Sequence, residues 1–262
     1  MKPYATRKRL FLAVSCLVLV SGCGQNLDVG SDMLWTSRFE GGTFDEWTSV
    51  PGGGYGAFPP PNNVVVSSEW AHQGKYSAKL TITAPADNPQ GYGASLVRQG
   101  NLPLQAYYSA WYYLPSTVSV GMYWVIMKLR LRTAVDDPTT EDELFDVNLK
   151  NLPNGDMSLR LYDHNLRGDR SLDVADPIVP VGDNEGFQIE ALYRGDPVDG
   201  RLTLWLDGKE ILNYQGATGP TEWVAWDVVS VGEDLTPATA LLYVDDCAIS
   251  NTRVGPRGVI AK

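Results

Sequence analysis

Between residues 123 and 132 the chain alternates with a period of two. Tyr123, Val125, Met127, Leu129 and Leu131 alternate with Trp124, Ile126, Lys128, Arg130 and Arg132. Side chains of a strand point to opposite faces in turn, so the pattern predicts an apolar inner face and a basic, partly aromatic outer one. Wound as a helix, these residues would spread the three cations round the circumference and leave no apolar stripe. A strand keeps the faces apart. The next two segments repeat the alternation. Phe145, Val147 and Leu149 alternate with Asp146, Asn148 and Lys150, and Met157, Leu159 and Leu161 alternate with Ser158, Arg160, Tyr162 and His164.

The link between these last two segments sets their register. A two-residue Asn154-Gly155 loop would pair Leu149 with Arg160 and mix core with polar residues on one face. A three-residue loop, Pro153-Asn154-Gly155, pairs Asn148 with Arg160 and Asp146 with Tyr162, and both faces stay uniform. Pro153 and Asn154 then form the corners of a type I turn, with Gly155 in the left-handed position of a bulge. The outer face collects Lys128, Arg130, Asn148, Arg160, Tyr162 and His164, which is a candidate sugar-binding or catalytic surface.

Strand signals recur along the chain at 34–40, 64–68, 76–83, 94–98, 107–114, 187–194, 202–206, 210–214, 226–231 and 240–249. Gly, Pro, Asn and Asp punctuate nearly all of them, and no long amphipathic helix interrupts the series. About a dozen short strands of this kind predict an all-β, two-sheet antiparallel sandwich occupying residues 34–254, with 255–262 as a tail. Residues 139–143 offer one helical turn. The Gly- and Pro-rich stretch 51–63 is expected to hold no regular structure.

The first residues change the picture of where the chain works. Lys2, Arg7, Lys8 and Arg9 precede an apolar run, 10–20, too short to span a bilayer. Val20-Ser21-Gly22-Cys23 resembles the lipobox of bacterial lipoproteins. That resemblance makes 1–22 a cleaved signal, Cys23 a lipidated first residue and 24–33 a tether, with the domain anchored outside the cytoplasmic membrane. Gly24 follows the cysteine where inner-membrane retention is associated with Asp, which points to an outer-membrane or surface location. The whole chain carries a formal charge of −10, and loss of the four leader cations makes the remainder more acidic. Such a body does not attract nucleic acid, so a local basic face is a specific feature. Cys16 leaves with the signal and Cys23 takes lipid. Cys247 then stands alone, excluding an internal disulfide, and is expected to be a small buried residue.

Several stretches resemble one group of folds. Phe39-Glu40-Gly41-Gly42 with Trp47 is similar to the opening of many secreted jelly-roll carbohydrate modules, and residues 107–115 to their central strand. Residues 202–209 resemble the strand, Asp-Gly-Lys, strand hairpin of concanavalin A-like and laminin G-like sandwiches, and Leu242-Tyr243-Val244-Asp245-Asp246 their closing strand. The group includes glycan-binding modules, endoglucanases and alginate-lyase-type polysaccharide lyases. The resemblance implies sugar bound across a concave face of a jelly roll and leaves binding and cleavage both open.

For cleavage, lyases of acidic polysaccharides neutralise a uronate carboxylate, remove the C5 proton and protonate the leaving oxygen. Arg130 or Arg160 with Asn148 would hold the carboxylate, His164 would be the base and Tyr162 the acid. Gln188-Ile189-Glu190 stands in the place of the Gln-x-His strand of alginate-lyase relatives but ends on Glu, and their Tyr-Phe-Lys-Ala-Gly motif is missing. For binding, the same face offers Trp124, Lys128, Arg130, Asp146, Asn148 and Arg160, joined by Gln188, Glu190 and Trp205. Trp124 and Trp205 each oppose the apolar face of their strand and are the preferred stacking platforms. Trp111, Tyr113, Trp223 and Trp226 are read as core. The residues together are read as a lipid-anchored protein that binds polysaccharide, the cations favouring uronate-containing or sulfated chains, with a polysaccharide lyase using the same face as the alternative. Glu141, Glu143 and Asp146 do not form a glycosidase pair, because Asp146 comes three positions after Glu143 and falls on the opposite face. Glu40 with Asp245 or Asp246 resembles the carboxylates that hold a structural Ca²⁺ in related modules.

Overall fold

The computed structural model describes residues 32–47, 55–58, 62–83, 92–99, 102–132, 141–164, 170–172, 174, 176–219 and 224–256. The leader and Cys23 lie outside these residues. Fifteen strands are described: β1 (Met33–Ser37), β2 (Tyr55–Phe58), β3 (Asn63–Ser67), β4 (Ser77–Thr83), β5 (Tyr92–Arg98), β6 (Gln105–Tyr113), β7 (Ser119–Arg132) and β8 (Glu141–Asn151). The series continues with β9 (Met157–Asp163), β10 (Arg170–Leu172), β11 (Phe187–Arg194), β12 (Gly200–Leu206), β13 (Lys209–Gly216), β14 (Val224–Thr236) and β15 (Thr239–Ser250). They form two antiparallel sheets packed as a jelly-roll β-sandwich. One sheet runs β13-β12-β11-β6-β15-β4-β3, with β1 also on β15; the other runs β10-β9-β8-β7-β14-β5-β2. Hairpin runs, β7-β8-β9-β10 and β11-β12-β13, are joined to strands distant in sequence, β6 lying between β11 and β15 and β14 between β7 and β5, as Greek-key connections require.

Alternation explains the core. Leu80, Ile82, Tyr108, Ala110, Tyr112, Ile189, Leu204, Leu242 and Val244 face inward from the eight-stranded sheet. Met127, Leu129, Phe145, Val147, Leu149, Leu159, Leu161, Trp226 and Val228 meet them from the seven-stranded one. Each large aliphatic or aromatic side chain so buried contributes on the order of 2 kcal/mol. Cys247 is buried among them, and burial pushes its thiol well above the usual range.

The β8–β9 hairpin has the register that face agreement predicts. Asn148 pairs with Arg160 and Asp146 with Tyr162. Leu152 and Asp156 close the loop, the Leu152 amide donating to the Asp156 carbonyl at 2.8 Å, and Gly155 sits at φ 91°. An L side chain is strained there. Gly155→Ala should therefore cost about 1 kcal/mol in urea unfolding, with the register unchanged because the cross-strand faces hold it. Asp207 and Gly208, both at positive φ, make the two-residue turn between β12 and β13.

Three expectations need correction. Tyr55–Phe58 lies within the Gly- and Pro-rich stretch yet forms β2, because a short edge strand needs one partner and finds it in β5. Glu141 begins β8, so residues 141–143 are strand and not a helical turn. The third concerns β7, where the pairing with β8 passes from Val125↔Asn148 to Met127↔Val147 and skips Ile126. This bulge turns Ile126 and Met127 both inward and reverses the phase before them. Trp124 is accordingly fully buried, its indole N–H donating to Ser230 Oγ at 2.9 Å.

Candidate functional site

The bulge has a direct effect on the outer face of the seven-stranded sheet. After it, Lys128 points outward as the alternation predicts; before it, Tyr123 and Val125 do so in place of Trp124. The register then builds two cross-strand rows. One runs Asp227 (β14), Lys128 (β7), Asp146 (β8), Tyr162 (β9), and the other Val231, Val125, Asn148, Arg160. All members of these rows except Asp227, with Met122, Tyr123 and His164, line a cleft of about 540 Å³. Lys128, Asp146, Asn148, Arg160, Tyr162 and His164, spread over 37 positions of sequence, share this one site.

The polar groups of the cleft are organised around Asp146. Its Oδ2 lies 3.0 Å from His164 Nε2 and 3.6 Å from Lys128 Nζ. The Tyr162 ring meets the His164 ring edge-on, with centroids 4.8 Å apart, and the Arg160 guanidinium lies 5.9 Å from the Tyr162 ring centroid. Asn148 donates its side-chain N–H to the Asp146 carbonyl at 3.2 Å. In the neutral tautomer that donates from Nε2 to this carboxylate, the lone pair of the imidazole is on Nδ1. A base, a phenol and a guanidinium therefore stand on one wall.

Arg130 takes another part from the one expected. Its Nε lies 2.5 Å from Asp227 Oδ2, in an ion pair largely closed to solvent. Burial pushes the Asp227 carboxyl up, while Arg130 and then Lys128 pull the other way. The pair supports the floor of the cleft and is not among the residues that line it. Asp227 was missed, although Trp226, Asp227 and Val228 alternate in the sequence and place it on the outer face.

Gln188, Glu190 and Trp205 lie on the other sheet, away from the cleft. Gln188 faces Trp111, and Glu190 is flanked by Ser109 and Trp205. Residues 253–255 cover them. Glu190 accepts from Arg253 Nε at 3.0 Å and from the Val254 amide at 2.6 Å; Gln188 donates to the Gly255 carbonyl at 3.0 Å. The Arg253 guanidinium lies 4.3 Å over the Trp205 ring. No sequence period predicts a strap of this kind, since it follows the last strand. On the same sheet Trp111 and Tyr113 face outward, against the core reading: Trp111 stacks on His72 at 3.6 Å and Tyr113 on Trp70 at 5.2 Å. A second cavity, of about 670 Å³, opens beside His72 and Trp111. Asp183, Glu185 and Asp207 line it, with no arginine or lysine among the described residues.

The carboxylates read as a calcium set are met by donors. Glu40 Oε1 accepts the Lys75 and Tyr76 amides at 2.8 and 3.0 Å. Asp246 pairs with Arg38 at 3.0 Å and His72 at 2.6 Å. Asp245 accepts the amides of His72, Gln73 and Asp246. N–H groups and a guanidinium are the complement of an anion, and this arrangement does not fit an oxygen cage for Ca²⁺. No metal-binding group of three or more His, Cys, Asp or Glu forms among the described residues.

Burial and the neighbouring Asp246 push the Asp245 carboxyl up to about 8, against those three amides. The unfolded chain releases this proton near pH 4 and the folded protein keeps it, so unfolding releases a proton across that window. Stability should fall as pH rises from about 4 to about 8. Thermal unfolding is expected to show a higher Tm at pH 5 than at pH 8. Asp245→Asn, with no proton to lose, should lower Tm overall and flatten this dependence.

No protein-family model and no curated protein matches the sequence. Among solved structures, the endo-β-1,4-glucuronan lyase of the fungus Trichoderma reesei superposes with a TM-score of 0.65 at 13% identity, over 87% of this chain and 100% of that one. The fold is a concanavalin A-like jelly roll. The cellulose induced protein Cip1 shares it, with a TM-score of 0.55 at 16% identity over 85% of this chain and 99% of its own. LamAcat of Zobellia galactanivorans does so with a TM-score of 0.50 at 10% identity, over 84% and 98%. At such identities the likeness establishes architecture, and the chemistry rests on the residues of the cleft.

Proposed function

We propose that the protein is a polysaccharide lyase that takes a uronate-containing chain in the cleft of the seven-stranded sheet. One observation carries this reading: Arg160, Tyr162 and His164 come together beside Asp146, while both tryptophan platforms expected of a binding surface lie elsewhere. A trough that holds sugar by stacking needs flat exposed rings. Among the described residues no indole lines the cleft and the acid–base groups remain, which favours catalysis over binding alone. The lyase superposed above, whose whole chain is covered, is consistent with this reading.

In the reaction so read, Arg160 meets the uronate carboxylate through its forked donors and draws charge from C5. His164, oriented by Asp146, takes the C5 proton on Nδ1. The electron pair forms the C4–C5 double bond as the bond from C4 to the glycosidic oxygen breaks. Tyr162 gives its phenolic proton to that oxygen, and exchange with water restores both residues. The export leader and lipobox-like Cys23 support placing this activity outside the cytoplasmic membrane on a lipid anchor.

Purified protein incubated with alginate, pectate, glucuronan and unsulfated hyaluronan should produce the absorbance of new unsaturated ends on at least one of them. Retardation on an immobilised glycan without any new double bond would reduce the role to binding. The absence of both cleavage and retention would refute a glycan function.

A further inference from the structure

Asp146 lines the cleft but is only 3% exposed. Its Oδ2 is committed to His164 and Lys128. Its Oδ1 is buried and has no hydrogen-bond partner among the described residues. The neighbouring Asn148 donates to the Asp146 main chain and not to this oxygen. A buried carboxylate oxygen without a donor bears the full desolvation penalty of an unmet acceptor. Because Asp146 lines an open cleft, a donor on a bound ligand can meet this acceptor.

The surroundings select the donor. Lys128 Nζ at 3.6 Å from Oδ2, and Arg130 in the adjoining ion pair with Asp227, oppose a cation. The carboxylate itself repels an anion. A neutral O–H remains, and the uronate that Arg160 would hold carries hydroxyls at C2 and C3. The last torsion of an aspartate is broad. A tilt about it presents Oδ1 to such a hydroxyl while Oδ2 stays with His164.

We infer that Asp146 is a specificity-determining residue which accepts a free C2 or C3 hydroxyl of the bound uronate. The inference rests on the cleft being the uronate site. The substrate class narrows accordingly to polyuronates that are neither O-acetylated nor sulfated at that hydroxyl. An ester removes the donor, and a sulfate adds a negative charge against a buried carboxylate. The sulfated chains admitted on cation content alone are thereby excluded.

The test compares an O-acetylated polyuronate before and after alkaline deacetylation, in kcat/KM and, by calorimetry, in Kd. The wild type should prefer the deacetylated chain by about 10- to 100-fold, the range of one hydrogen bond to a charged acceptor. In Asp146→Asn, with its fold verified by circular dichroism, the ratio should fall to within about threefold. Equal wild-type values on the two polymers would overturn the inference. So would a variant that loses activity on both polymers alike and keeps the ratio, because that is the behaviour of a residue acting solely through His164. The same preference in Kd without turnover would uphold the role of Asp146 and sink the lyase reading. No binding to either polymer would sink both.

Discussion

His164→Ala is expected to lower the rate of elimination by about 100- to 10,000-fold, the span a positioned general base supplies. The loss should fall on kcat, with KM little changed, because Arg160 and Lys128 still hold the substrate charge. His164 sits just past the end of β9 and is partly exposed, so the core keeps its packing and Tm should move by no more than a few degrees. Asp146 retains Lys128 as its partner. Tyr162→Phe should give a comparable loss with the imidazole intact, since the phenol is the proton donor to the leaving oxygen. Initial rates by absorbance, with a melt of each variant, check both statements. Full activity in His164→Ala would remove the base from the scheme.

The second large effect concerns stability. Removing residues 253–262 is expected to destabilise the sandwich by about 3–5 kcal/mol, the cost of breaking a buried ion pair from one side. The Glu190 side chain is fully closed to solvent, and its partners, Arg253 Nε and the amides of Val254 and Gly255, all lie in the deleted segment. The truncation also uncovers Trp205 and takes the Gly255 carbonyl from Gln188. Glu190→Gln in the truncated chain should recover part of the loss, because a neutral amide costs less to leave without partners. Urea unfolding of the three chains measures the difference. The cleft lies on the other sheet, so activity at low temperature should survive.

These two sites differ in how far the sequence revealed them. Asp146, Asn148, Arg160, Tyr162 and Lys128 were legible because each is held by a period-two pattern and a loop whose length face agreement fixes. Short-range rules were enough for that register. The Asp207-Gly208 turn was legible by its resemblance to the strand, Asp-Gly-Lys, strand hairpin of related sandwiches. Trp124 was misplaced because one extra residue at Ile126 reverses the phase, and an apolar run such as Val125-Ile126-Met127 carries no mark of which residue is extra. Gln188, Glu190 and Trp205 were correctly placed on strands, but alternation along a strand says nothing about which of two sheets the strand joins. Nor does it foretell that a segment 60 residues later will cover them. The pairing of Arg130 with Asp227 depends on β14 lying beside β7, a contact between segments about 100 positions apart.

The claim on which all this depends is that one polar wall, formed by β7, β8 and β9, receives a uronate chain. Crystals of the Tyr162→Phe variant soaked with an oligouronate test it most directly. The account predicts density along the cleft, with a carboxylate on the Arg160 guanidinium, C5 within reach of His164 Nδ1 and a ring hydroxyl on Asp146 Oδ1. Sugar bound instead beside His72 and Trp111 on the opposite sheet, with the cleft empty, would contradict it.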